Sequence, residues 1–184
     1  MQTVTFRNEE KIETSKVVEL FRQKLENNTN FEKSEIEELV DIYAKNPVDK
    51  FIISDGKMLS NTFGRQGDIL FWREGSAMYQ REIGNVHNLK KTDRLVLQKN
   101  DSLTGDHRLI PIKGSNYTLK EGTFTPMFLQ NKNTFGRAAY DCLVLEIDKP
   151  FLVFHREHGN MAYPSGKYMI VSQLDPSTLN IMID

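Results

Sequence analysis

One pentapeptide is written twice in this chain, and that repetition limits the possible folds more than any other feature. Asn61-Thr62-Phe63-Gly64-Arg65 recurs letter for letter as Asn133-Thr134-Phe135-Gly136-Arg137. Downstream, Arg81-Glu82-Ile83-Gly84-Asn85 answers to Arg156-Glu157-His158-Gly159-Asn160. Val96, Gln98 and Ser102 then answer to Val171, Gln173 and Ser177. The matches keep their order while the register drifts by three residues, as a small loop insertion would cause. The pattern reads as an internal duplication of a unit of about sixty residues, near the lengths at which repeats are sought. A β unit of that size buries too little surface to stand alone. Two copies are therefore expected to share one core with pseudo-twofold symmetry.

Ahead of the first copy the chain has helical periodicity. Thr3 to Phe6 alternates like a short strand, and Ser15 to Asn27 then carries Val17, Val18, Phe21 and Leu25 on one stripe. Asn27-Asn28 closes that helix, because asparagine tolerates left-handed geometry. Ser34 with Glu37 forms a capping box for a second helix, whose apolar side is Ile36, Leu39, Val40 and Tyr43. Pro47 ends it.

Beyond Pro47 come short β-type runs divided by Gly, Asp, Asn and Pro. They are Phe51 to Ile53, Asp68 to Trp72, Ala77 to Ile83, Arg94 to Leu97 and His107 to Ile112. The second copy supplies Phe124 to Leu129, Tyr140 to Ile147, Phe151 to His155, Tyr168 to Val171 and Leu179 to Ile183. The expected class is α+β, an N-terminal helical hairpin packed on a mainly antiparallel β core, sandwich or barrel-like. Its parts are residues 1–48 for the first strand and hairpin, 49–121 for the first repeat and connection, and 122–184 for the second repeat. All three are expected in one compact domain.

Composition narrows the function classes. Apolar residues make up 39% and charged residues 27% of 184, ordinary for a soluble protein with a real core. A net charge of −1 argues against nucleic acid. Cys142 is the single cysteine, so the chain makes no internal disulfide. No signal-peptide core and no membrane-length apolar run is present, and a cytoplasmic setting is expected.

Candidate sites follow from comparing the copies. Shared Gly64 with Gly136, and Gly84-Asn85 with Gly159-Asn160, suit turns that need positive φ. Strand alternation sets Arg81 in line with Tyr79 and Ile83, and Arg156 in line with Phe154 and His158. Both guanidinium groups are expected at least half buried against Asp68 or Asp141, either as structural ion pairs or as a clamp on an anion. Trp72, at a strand end beside Arg73, and His158 complete the expected ligand contacts. His155 and Glu157 should point the other way, outward if Phe154 lies in the core. His155-Arg156-Glu157-His158 holds metal-ligating side chains, but an extended strand lets only two of them meet one ion, so no metal is assigned. Lys90, Lys91, Arg94 and Lys99 form a basic patch diluted by Asp93 and Asp101. A non-catalytic binding or regulatory protein is expected, offering a pseudo-twofold β cleft or surface to a small anionic ligand or a partner protein, without a cofactor. The alternative is a small hydrolase, metal-dependent or not, using His155, Glu157 and His107.

Overall fold

The structure, a computed structural model, describes residues 3–5, 11–45, 51–53, 64–66, 68–95, 97, 107–130, 139–155 and 159–174. It begins with a short antiparallel pair, β1 (Thr3–Thr5) and β2 (Lys11–Glu13), followed by helices α1 (Thr14–Glu26) and α2 (Lys33–Lys45). Of the residues that periodicity singles out, Val17, Phe21 and Leu25 on α1 and Ile36, Leu39, Val40 and Tyr43 on α2 are buried, and Val18 is partly buried against them. Phe21 stacks on Tyr43 with ring centroids 4.5 Å apart, which fixes the hairpin. The cap of α2 lies two residues ahead of the expected one. Because the helix begins at Lys33, Glu35 occupies the reciprocal position and accepts from the Glu32 backbone N–H at 3.0 Å. Glu37 instead takes a hydrogen bond and ion pair from Arg22 of α1. Asn28 does not adopt positive φ, and its Oδ1 accepts from the Asn30 N–H at 3.0 Å.

The β region runs β3 (Phe51–Ile53), β4 (Gly64–Gln66), β5 (Ile69–Arg73), α3 (Ala77–Glu82) with a 3-10 turn (Ile83–Asn85), and β6 (Val86–Lys91). It continues as β7 (Arg108–Pro111), β8 (Tyr117–Phe124), α4 (Met127–Gln130), β9 (Tyr140–Ile147), β10 (Phe151–His155), β11 (Gly159–Tyr163) and β12 (Gly166–Ser172). Among the described residues these strands form a four-stranded sheet, β3-β11-β10-β7, and a six-stranded sheet, β4-β5-β12-β9-β8-β6. Pairing is antiparallel except between β11 and β3. Among the described residues the architecture is sandwich-like, with no closed barrel.

Alternation along the strands divides their side chains among three apolar layers. Phe71, Leu143, Leu145, Phe151, Val153, Tyr163, Tyr168 and Ile170 meet between the sheets. There Tyr163 lies 4.3 Å from Phe71 and 5.2 Å from Phe151, and the Tyr168 hydroxyl donates to the Pro164 carbonyl at 2.6 Å. Leu152 and Ala162 turn the other way, onto α1 and α2. Trp72, Tyr79, Phe124, Cys142, Met169 and Val171 form the third layer, where α3 covers the outer face of the six-stranded sheet. Strands buried on both faces explain unbroken apolar runs such as Phe151-Leu152-Val153.

Several expected elements differ. Ala77 to Ile83 is helical, not a strand, because Tyr79 and Ile83 sit at helical spacing and Ser76 caps the turn, its Oγ accepting from the Tyr79 N–H at 3.3 Å. Phe124 ends β8 and Met127 to Gln130 is one helical turn, so no strand spans Phe124 to Leu129. Around Arg94 no strand forms, although the Leu97 N–H donates to the His107 carbonyl and the Leu109 N–H to the Leu95 carbonyl. β6, β8 and β11 were not expected: charged Lys90, Lys120 and Glu121 hide the first two, and glycine opens the third.

These differences bear on the duplication. Where the second of the two expected repeats has β10 and the start of β11, the first has α3 and the 3-10 turn, so the two stretches do not match element for element. Gly159 takes φ of 85°, whereas Gly84 in its 3-10 turn does not have positive φ. Gly64 is needed for close approach instead: a Cβ there would stand 2.7 Å from the Tyr163 ring. Asn133 to Arg137 and Leu179 to Ile183 lie outside the described residues.

Candidate functional site

Trp72 and Arg81 line one cavity of about 190 Å³ on the outer face of the six-stranded sheet. Leu70 and Trp72 of β5 and Val171 of β12 form its floor, Phe124 and Pro126 one wall, and Met78 of α3 with Phe128 of α4 the rim. Trp72 meets Phe124 edge to face, with centroids 6.2 Å apart. Phe128 is 48% and its neighbour Met127 45% exposed, a large apolar surface for so short a helix. The cavity draws β5 and α3 from the first half of the chain and α4 and β12 from the second.

Glu82 holds these parts together. Its carboxylate is 1% exposed and accepts from Arg81 Nε at 3.1 Å and Asn85 Nδ2 at 3.0 Å. It also accepts from the Met127 backbone N–H at 3.1 and 3.2 Å, which ties the start of α4 to the end of α3. Arg81 is thus close to half buried and does meet a carboxylate, but it differs from the expectation of a strand residue paired with Asp68 or Asp141. Its side chain is 46% exposed, on a helix, and its ion pair is with Glu82. Helical geometry turns it to the cavity rim instead of the sheet interior.

Gln173 follows β12 and adds a polar group to this apolar lining. Its backbone N–H donates to the Asp68 carbonyl at 2.7 Å. Its side-chain Oε1 is buried, with no hydrogen-bond partner among the described residues. Gln173 appears in the sequence comparison only as one of the repeated positions. Its role depends on where β12 ends, which no local signal fixes.

The histidines take a different arrangement. His107 and His155 stack with ring centroids 4.1 Å apart and planes 22° from parallel. They are 1% and 0% exposed. His155 is thus not the outward-facing residue that alternation predicts. The helical hairpin covers the outer face of the four-stranded sheet, so Leu152 and Phe154 face helices while Phe151, Val153 and His155 face the inter-sheet side. Arg156, Glu157 and His158 lie outside the described residues. Among the described residues, no three His, Cys, Asp or Glu side chains gather as a metal site would require.

Two further features complete the map. Burial, and secondarily Asp141, pushes the Cys142 thiol up to about 12. An open groove of about 710 Å³ runs along the ends of β8, β9 and β12, with Glu74, Glu146 and Asp148 on its walls. The Asn116 side-chain and backbone N–H groups donate to Asp148 at 3.0 and 2.7 Å and hold its carboxyl below the usual carboxylate range. Among the described residues no helix is long and apolar enough to cross a membrane. Comparisons with protein-family models, curated proteins and solved structures give no match to this chain.

Proposed function

We propose that the protein is a non-catalytic binding protein and that the cavity beneath α3 and α4 receives a small amphipathic anion. The observation that carries this reading is the buried Gln173 side-chain carbonyl oxygen, without a partner among the described residues, in a mainly apolar cavity whose other polar side chains are the Arg81–Glu82 pair and Ser172. Leaving such an acceptor unmet costs on the order of 1–3 kcal/mol, and a ligand hydroxyl or N–H would meet it. Arg81, at the rim and partly in water, supplies the positive charge for an anionic group. A volume of about 190 Å³ suits one ring or a branched aliphatic body, not a helix or strand of a partner. Hydrolysis at His107, His155 and Glu157 is the weaker reading, since two imidazoles with at most 1% exposure offer a substrate no surface.

Calorimetry with 4-hydroxybenzoate, benzoate and phenol tests the proposal. The hydroxy acid should bind at least about tenfold more tightly than either analogue, the worth of one hydrogen bond or charge contact each. Arg81→Gln should weaken the two acids and leave phenol unchanged, while Trp72→Ala should weaken all three. No binding by any of them, or equal affinity of the Arg81→Gln protein for the hydroxy acid, overturns the reading.

A further inference from the structure

The β6 edge carries a separate polar cavity. β6 leaves the six-stranded sheet at Thr92, whose backbone N–H donates to the Leu119 carbonyl at 2.9 Å. By Leu95 the chain is hydrogen-bonded beside β7 of the other sheet. Arg94 stands at this crossing, with its backbone N–H held by Thr92 Oγ1 at 3.1 Å. Its guanidinium Nε and Nη1 are buried, and neither has a hydrogen-bond partner among the described residues. Donors of a charged group left unmet out of water are costly, and among the described residues Arg94 has no counterpart for these two.

Arg94 lines a cavity of about 200 Å³ with Asn88, Lys90, Glu121, Thr123 and Asp141. A β-bulge shapes it: the β6–β8 register shifts between His87 and Lys90, and Asn88 takes φ of 56°. Lys90 lies opposite Glu121, and Thr123 opposite Asp141, in the strand registers. The lining thus carries two cations and two carboxylates. A simple oxyanion drawn by Lys90 and Arg94 would meet Glu121 and Asp141 in the same lining, and like charges a few ångströms apart repel even in water. A simple amine meets the converse problem. A ligand with both signs a few bonds apart meets neither.

We propose that this cavity binds a small zwitterion of the α-amino acid class, its carboxylate on Arg94 and its ammonium group toward Asp141 and Glu121. The volume admits a free amino acid and is too small for a nucleotide or folded peptide. This site is independent of the cavity beneath α3 and α4.

The test is calorimetry of the full chain against the twenty α-amino acids, with acetate, methylamine and inorganic phosphate as single-charge probes. At least one amino acid should bind one to one with a Kd below about 1 mM, the weak end of specific small-ligand affinity. Acetate, methylamine, phosphate and the N-acetyl form of that amino acid should each bind at least tenfold more weakly. Arg94→Gln should reduce the affinity at least tenfold while the free protein melts at the same or a higher temperature, because the substitution removes two buried donors that have no partner among the described residues. Asp141→Asn, a change at an exposed residue, should weaken the amino acid and spare acetate. Absence of binding by every amino acid, equal affinity for phosphate or acetate, or unchanged affinity in both variants overturns the proposal.

Discussion

Glu82 shows at the scale of one residue how placement decides energetics. A carboxylate 1% exposed with three donors around it cannot be changed without loss, whereas its 46% exposed partner can. Glu82→Gln should lower the stability by about 1.5–3 kcal/mol, the worth of hydrogen bonds to a charged group. Arg81→Ala should stay within about 1 kcal/mol, as a partly solvated pair does. Urea denaturation of both variants checks this, and equal losses would contradict it. At His155 a side chain with no exposed surface replaces the expected solvent-facing one. His155→Ala should therefore cost about 2–5 kcal/mol, as truncation of a large core side chain does. Cys142 makes the third test. Its folded-state pKa is raised from 9.0 to about 12, so its contribution to stability is complete below pH 9 and is lost as pH rises toward 12. Iodoacetamide at pH 8 should label it slowly in the native protein and quickly in denaturant. Equal labelling rates would mean that the thiol is accessible.

At the scale of elements, α3 is the instructive case. Six residues make only a turn and a half, too short to persist by propensity. The cap at Ser76, the Glu82 tie to α4 and the packing of Tyr79 on the sheet hold it in place. Ser76→Ala should cost about 1 kcal/mol. It should also weaken 4-hydroxybenzoate, since the cavity rim sits on this helix. A variant with unchanged stability and affinity would show that the cap does not govern the site. The same stretch shows the limit of period-reading. Tyr79, Arg81 and Ile83 fit a strand face, while Tyr79 and Ile83 equally fit a helix, and seven residues are too few to separate the two periods.

For the whole molecule, the central layer draws side chains from both sheets, and the hairpin covers a strand that also lines that layer. Neither sheet can lose its partner without exposing Phe151, Tyr163 and Tyr168. Unfolding should therefore be one cooperative transition. Phe21→Ala, in a helix remote from the inter-sheet core, should move that whole transition by about 3–5 kcal/mol and not release a separate hairpin step. Far- and near-ultraviolet circular dichroism that diverge along the urea axis would sink this expectation.

Periodicity alone determined the hairpin, its buried stripes, β9 and β10 to the residue, and a mainly antiparallel β core, because burial of one face leaves a record in local spacing; that this core is sandwich-like and not barrel-like was decided by how the two sheets pack. Trp72 and Arg81 were legible as candidate contacts from type and position. Their meeting in one cavity was decided by tertiary structure, since α3 reaches Trp72 only through β5 and the Glu82 tie to α4. The inward turn of His155 was likewise hidden, because its cause is a helical layer from the far end of the chain. In the sequence Gln173 is only one of the repeated positions and Arg94 only one cation of a diluted basic patch. What distinguishes them is a hydrogen-bond partner missing among the described residues, and that is a property of the space around a side chain.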